Sequence, residues 1–200
     1  MPNDPDDRRV WLDADELDML INNARDHSTE RYIALGLMGR CGLRRGEVLT
    51  VSPSHVVDSD VKTMIRLGAG ETKGGYFRST PVPSSLTETL RTFSEYADHL
   101  DGWHDETPFV DVTGRTVARW VRRHADACNE QTPESEDGWR HVTPHDLRRA
   151  WANRLLEDDV APPLIMNFGG WQSWPDFRDH YLNGYSSKRV REELDKVAWM

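Results

Sequence analysis

Thr143-Pro144-His145-Asp146-Leu147-Arg148-Arg149 is the stretch of this 200-residue chain from which its fold is read. Threonine is a good N-cap. Proline suits the first helical turn, where its missing N–H has no partner to lose, and an aspartate at the third position complements the helix dipole. A helix is therefore expected from here to about Leu156. His145 and Arg148 lie three residues apart and so share one face of its first turn. That end of a helix attracts anions, and an imidazole beside a guanidinium suits a phosphate. Taken alone, the same pair also fits an ordinary structural contact.

Upstream, Asp13 with Glu16 makes a capping-box pattern, and Leu17, Leu20 and Ile21 follow at helical spacing. A second helix is predicted from about Ser28 to Met38. Cys41-Gly42 breaks it, and Leu43 to Leu49 reads as a short further helix. Val61–Leu67 and Tyr76–Val82 read as two strands joined by the turn-rich Gly68–Gly75. Ser85–His99 and Val117–Ala127 read as helices, and Asn129–Gly138 as a polar loop. Two or three short helices should follow Leu156 as far as Asp195. The fold class expected is mainly α with a small antiparallel β-sheet, an α+β arrangement in one domain.

Composition limits the function classes. The chain carries 34 acidic and 25 basic residues, a net charge of −9. No apolar run approaches the ~20 residues of a membrane span, and the polar start is no secretory signal, so a cytoplasmic protein is expected. Cys41 and Cys128 are too few and too separated for a disulfide framework and read as lone buried thiols. Among the charges, aspartate is abundant, and Lys62, Lys73, Lys188 and Lys196 are the only lysines. This bias resembles proteins of salt-loving archaea, whose acidic shells hold water at molar salt, and suggests a halophilic source. The acid is concentrated early: residues 1–30 hold nine acidic residues and three arginines. Arg40, Arg44, Arg45, Arg115, Arg119, Arg122, Arg123, Arg140, Arg148 and Arg149 supply local positive charge. The net charge therefore does not exclude nucleic acid.

Three further segments carry chemistry. In Gly42-Leu43-Arg44-Arg45-Gly46-Glu47 a glycine permits a tight turn, an arginine opens a helix, and a carboxylate one turn on is placed to hold the guanidinium. Thr72-Lys73-Gly74-Gly75 puts a lysine on a glycine-flanked turn, from which it can reach a ligand or simply sit in solvent. Gly169-Gly170-Trp171 precedes Tyr181 by ten residues. Read singly, Trp171 suits a core and Tyr181 is an ordinary aromatic. His141 with His145, and His124 with Cys128, have a spacing seen in zinc sites but lack a second pair.

In order, Gly-Leu-Arg-x-x-Glu, Thr-Lys on a hairpin, His-x-Leu-Arg, Gly-Trp and Tyr resemble the tyrosine recombinase (phage integrase) family, from about Trp11 to Tyr181 or beyond. The resemblance implies the catalytic-domain fold of that family and cleavage and rejoining of DNA through a 3′-phosphotyrosyl link. It implies that Arg44 and Arg148 clamp the phosphate, Lys73 is the hairpin lysine, and His145 opens the His-x-x-Arg box. Trp171 takes a position that is histidine in many members, Tyr181 is the nucleophile, and Glu47 supports the site. The spacing from Trp171 to Tyr181 is about one residue longer than is commonest, which keeps Tyr185 as the alternative nucleophile. Arg45 and Arg149 read as DNA-backbone contacts or exposed side chains. No metal or other cofactor is implied. The implied partners are double-stranded DNA, further copies of the chain (a tetramer on DNA) and an accessory DNA-binding factor. Residues 1–10 then form a flexible acidic tail, 11–185 the catalytic domain, and 186–200 a segment to pass to a neighbouring subunit or fold back. A catalytically silent DNA-binding regulator with the same fold is the competing reading, ahead of an interaction module that ignores DNA.

Overall fold

Helix α2, Thr29–Cys41, is the centre about which the molecule is built, and almost every side chain from Tyr32 to Cys41 is buried. A helix that is apolar all round must be covered all round. In this computed structural model, which describes residues 10–131, 138–181 and 194–195, the cover comes from five other helices. They are α1 (Ala14–Arg25), α3 (Arg45–Val48), α4 (Ser84–Ala97), α5 (Gly114–Gln131) and α6 (Pro144–Glu157). Helix α1 starts on the expected capping box, with Glu16 N–H donating to Asp13 at 2.9 Å and Asp13 N–H to Glu16 at 2.9 Å. Leu17, Leu20, Ile21 and Ala24 form its buried stripe. Asp18 then ties α1 to both neighbours, accepting from Arg40 of α2 at 3.2 Å and Arg154 of α6 at 3.1 Å.

The sheet has three antiparallel strands in the order β1 (Val56–Val57), β2 (Met64–Leu67) and β3 (Arg78–Pro81). The sequence reading gave two strands. It missed β1, since a two-residue strand shows no alternation, and it began the other two early. Ile65 and Leu67 point into the core and lie opposite Thr80 and Arg78, which are also buried. An arginine thus occupies a core-facing position of the sheet.

Helices α7 (Pro162–Gly169) and α8 (Trp174–Tyr181) complete the described chain. They pack on α6 through a second, small cluster of Trp151, Ala152, Ile165 and Phe177, with Trp171 at its edge. Cys41 and Cys128 are buried and are not joined in a disulfide. The mainly helical architecture with one small antiparallel sheet is the fold class expected. The short third helix begins at Arg45 instead of Leu43, and α5 begins three residues before Val117. The acidic tail through residue 9, Tyr185 and the 186–200 segment apart from Leu194 and Asp195 lie outside the described residues.

Candidate active site

One cleft, about 770 Å³ in volume, opens where the start of α3, the β2–β3 hairpin and the start of α6 meet. Arg44, Arg45, Glu47, Glu71, Thr72, Lys73, Thr143, His145 and Arg148 line it. The fold thus brings Arg44, Lys73, His145 and Arg148, scattered over more than a hundred residues of sequence, to a single wall-to-wall space.

Arg44 arrives through the Gly42 turn. Gly42 caps α2 in the left-handed region at φ 68°, and Leu43 N–H donates to the Leu37 carbonyl at 3.0 Å. A Cβ here would lie 2.3 Å from the Trp151 ring, so backbone sign and space both demand glycine. Arg44 is then the N-cap of α3. Its backbone N–H donates to Glu47 Oε2 at 2.6 Å and its Nη1 to Glu47 Oε1 at 2.9 Å. Glu47 itself is buried and takes a third bond, from Arg78 Nη2 at 2.5 Å. Burial would push the Glu47 carboxyl up, but Arg78, then the Arg44 amide and guanidinium, hold it below its ordinary value. Glu47 is therefore a fixed negative charge under Arg44.

Lys73 sits at the corner of a turn closed by Gly75 N–H donating to the Thr72 carbonyl at 3.1 Å. Thr72 Oγ1 reinforces it by donating to the Tyr76 carbonyl at 2.8 Å. Glu71 fastens the hairpin at its base, meeting His55 Nε2 at 2.7 Å through Oε1 and accepting from Gly68 N–H at 2.6 Å through Oε2. Lys73 is exposed.

Helix α6 starts as expected, with Asp146 accepting from Thr143 N–H at 2.9 Å and Thr143 Oγ1 at 2.7 Å. His145 is exposed toward the cleft, whereas Arg148 is 1 % exposed. The Arg148 guanidinium donates to the carbonyls of Gly42 and, at 2.7 Å, of Gly169. Its Cζ lies 4.1 Å from the centre of the Trp171 ring. Trp171 in turn stacks on Trp151 (centroids 6.1 Å apart) and meets Phe177 of α8 edge-on at 5.2 Å. Trp171 therefore bridges Arg148 and the helix that ends at Tyr181. The Tyr181 backbone closes α8, but its side chain lies outside the described residues.

Arg45 lines the cleft rim, as expected of an exposed residue. Arg149 does not fit the expectation of an exposed DNA-backbone contact. It is 5 % exposed, paired with Asp146, and lies over the Trp11 ring at 5.4 Å. Facing the core one position past Arg148, it braces the cap of α6 from behind. Sequence reading also missed Arg78, Glu71, His55 and Trp151. Arg78 had a signal: it shares strand parity with Thr80 and Val82, and an arginine on that inward face needs a buried partner. Among the described residues, no three His, Cys, Asp or Glu side chains converge to hold a metal ion, and no helix is long and apolar enough to cross a membrane.

Solved structures of known proteins share this architecture. The chain is similar to the XerA recombinase, with a TM-score of 0.75 at 21 % identity over 99 % of this chain and 67 % of that one. It is similar to the XerH site-specific recombinase in its post-cleavage complex with a palindromic difH substrate, with a TM-score of 0.75 at 15 % identity over 96 % of this chain and 54 % of that one. A lambda integrase dimer bound to a COC′ core site matches with a TM-score of 0.60 at 21 % identity, over 86 % and 48 % of the two chains. The chain thus spans about half to two thirds of these proteins. Its fold is that of a tyrosine recombinase catalytic domain. The model of the phage integrase family matches residues 10–186, and the chain belongs to that family. A comparison with curated protein sequences finds no match.

Proposed function

We propose that this chain is the catalytic domain, residues 11–185, of a site-specific DNA recombinase that cuts and rejoins double-stranded DNA through a 3′-phosphotyrosyl link to Tyr181. The observation that carries this reading is the convergence of Arg44, Lys73, His145 and Arg148, from three separate segments, on one cleft. A phosphodiester repels nucleophiles by its own charge. Two guanidiniums across a cleft bind non-bridging oxygens and stabilise the extra negative charge of the pentacoordinate transition state. The tyrosine hydroxyl, with an unperturbed pKa near ~10, attacks only if its proton is managed and cations are near. In this reading His145, exposed at the cleft, manages that proton. Lys73, on its exposed turn, protonates the departing 5′-oxygen. Trp171 cannot act as a base, and its part is to hold Arg148 and the Tyr181 helix together. The link keeps the energy of the broken ester, so religation by the 5′-hydroxyl needs no nucleotide. Strand exchange requires two DNA sites, which calls for an assembly of further copies of the chain on DNA, with an accessory DNA-binding factor where the chain alone binds weakly.

The test uses duplexes of randomised sequence, each with a nick that lets the released 5′ fragment diffuse away. The wild-type chain should yield a protein–DNA adduct on a denaturing gel, and Tyr181→Phe should not. Adduct surviving in Tyr181→Phe but lost in Tyr185→Phe would move the nucleophile to Tyr185. Sequence-selective binding with no adduct from wild type at any salt concentration would make the chain a DNA-binding regulator.

A further inference from the structure

Arg78 lies outside the cleft, 3 % exposed, yet it touches both halves of what the cleft is made from. Its Nη2 donates to Glu47 Oε2 at 2.5 Å, and Glu47 is the carboxylate that orients Arg44. Its Nη1 donates to the carbonyl of Phe168 at 2.5 Å. The next carbonyl along, that of Gly169, accepts from Arg148 at 2.7 Å. Two buried arginines, one from β3 and one from α6, thus take successive carbonyls at the C-terminal end of α7. Helix C-termini leave carbonyls without intrahelical partners and carry partial negative charge, so cations dock there. The fit is close: a Cβ on Gly170, which ends α7 at φ 71°, would lie 2.8 Å from Arg78 Cδ.

We propose that Arg78 is a positioning residue for phosphoryl transfer: its planar guanidinium spans Glu47 and the end of α7 and so fixes Arg44 relative to Arg148 and Trp171 across the cleft. The proposal rests on the recombinase reading of the site. A guanidinium is suited to this because its fork holds two acceptors at set angles, whereas a lysine ammonium is a point charge on a flexible stem. Arg44 supplies two of the three donors to Glu47, its amide and one guanidinium nitrogen, and Arg148 reaches the α7 end independently. Arg78 is the residue that joins these two anchors. The charged and titratable groups around Glu47 are Arg44 at the start of its own helix, Arg78 from β3 and, beyond Arg78, the Cys41 thiol of α2. Burial pushes that thiol up to about 12, which leaves it neutral. With Arg78 gone, the buried Glu47 loses its strongest counter-charge and takes up a proton more readily, releasing Arg44.

Adduct formation from nicked randomised duplexes is measured against pH for wild type, Arg78→Met, Arg78→Lys and the double variant Arg78→Met/Glu47→Gln, at a temperature where circular dichroism shows each folded. Arg78→Met should slow the adduct roughly 10²-fold, as a displacement of about an ångström in a catalytic group does. Its rate should fall further as pH drops through the new Glu47 titration. That acid limb should vanish in the double variant, and Arg78→Lys should recover part of the rate. A merely structural arginine would lower the melting temperature of the variants without giving the folded protein a new pH limb. A folded Arg78→Met with a rate within about twofold of wild type and an unchanged pH profile overturns the proposal. If Arg78→Met does not fold, Arg78→Lys decides: a wild-type rate there rules out the spanning fork. Absence of adduct from wild type overturns the recombinase reading, and this inference with it, which separates the two failures.

Discussion

Arg44 and Arg148 offer guanidiniums to the same cleft but are held by opposite means. Arg44 is partly exposed, 29 % at its side chain, and leans on the carboxylate of Glu47. Arg148 is buried and leans on two carbonyls and an indole face. The two should therefore fail differently. Arg44→Ala should lower adduct formation about 10²–10³-fold, by analogy with the loss of one oxyanion donor, while leaving the melting temperature nearly unchanged because Glu47 keeps Arg78. Arg148→Ala should lose at least as much rate and also stability, on the order of 1–3 kcal/mol for each buried carbonyl left without a donor. Adduct kinetics with thermal melts of both variants check this, and an unaltered melting curve for Arg148→Ala would contradict it. The sequence made Arg44, Lys73, His145 and Arg148 visible as candidates because each sits beside a local signal: a glycine turn, a hairpin, a helix cap. Strand parity marked Arg78 as inward-facing but could not show its partners, Glu47 and the Phe168 carbonyl, which lie 31 and 90 residues away.

At the scale of elements, two joints are vulnerable in different ways. The α2–α3 joint depends on Gly42, where any side chain meets both a left-handed backbone and the Trp151 ring. Gly42→Ala should cost at least roughly 1–3 kcal/mol, read as a drop in the urea midpoint, because strain and overpacking add. The α1–α5 joint buries His124, whose Nδ1 meets Asn23 Oδ1 at 2.7 Å and whose Nε2 has no partner among the described residues. Burial, then the neighbouring His27, Arg31 and Arg123, lower its pKa from 6.5 to about 4. The unfolded chain thus binds a proton that the folded chain refuses in this window. Stability should fall as pH drops from 6.5 toward 4, by roughly 3 kcal/mol over the full range. Glu47, lowered from 4.5, adds a loss of the same sign that begins near the ordinary carboxylate value and continues below it. Urea melts against pH should show the first decline flattened in His124→Gln; an identical decline in that variant would exclude His124 as its source.

For the whole molecule, a net charge of −9 and a basic-lined cleft pull in opposite directions. Self-repulsion of the acidic surplus should be screened by salt, so the melting temperature should rise as potassium chloride is raised from low to molar concentration. Binding of duplex DNA should weaken over the same range, since each phosphate neutralised releases counterions. Arg45→Ala, at the cleft rim, should reduce the slope of log affinity against log salt by about one, measured by anisotropy on randomised duplex. A slope equal to wild type would place Arg45 away from the DNA.

By itself the sequence determined the helical scaffold, the hairpin and the capped start of α6, because apolar periodicity and capping chemistry act within a few residues of chain. It also supplied the ordered motifs that mark the family. What only the tertiary structure decided is which polar groups are buried together. The inward face of β3, the end of α7 and the start of α3 are distant in sequence, and the charged partners shared among Glu47, Arg78, Arg148 and the Phe168 and Gly169 carbonyls exist only once packing removes water from between them. Arg148 and Arg149 make the same point at neighbouring positions. The sequence assigns Arg148 to the phosphate and leaves Arg149 outside, and packing keeps the first at the cleft but turns the second inward onto Asp146 and Trp11.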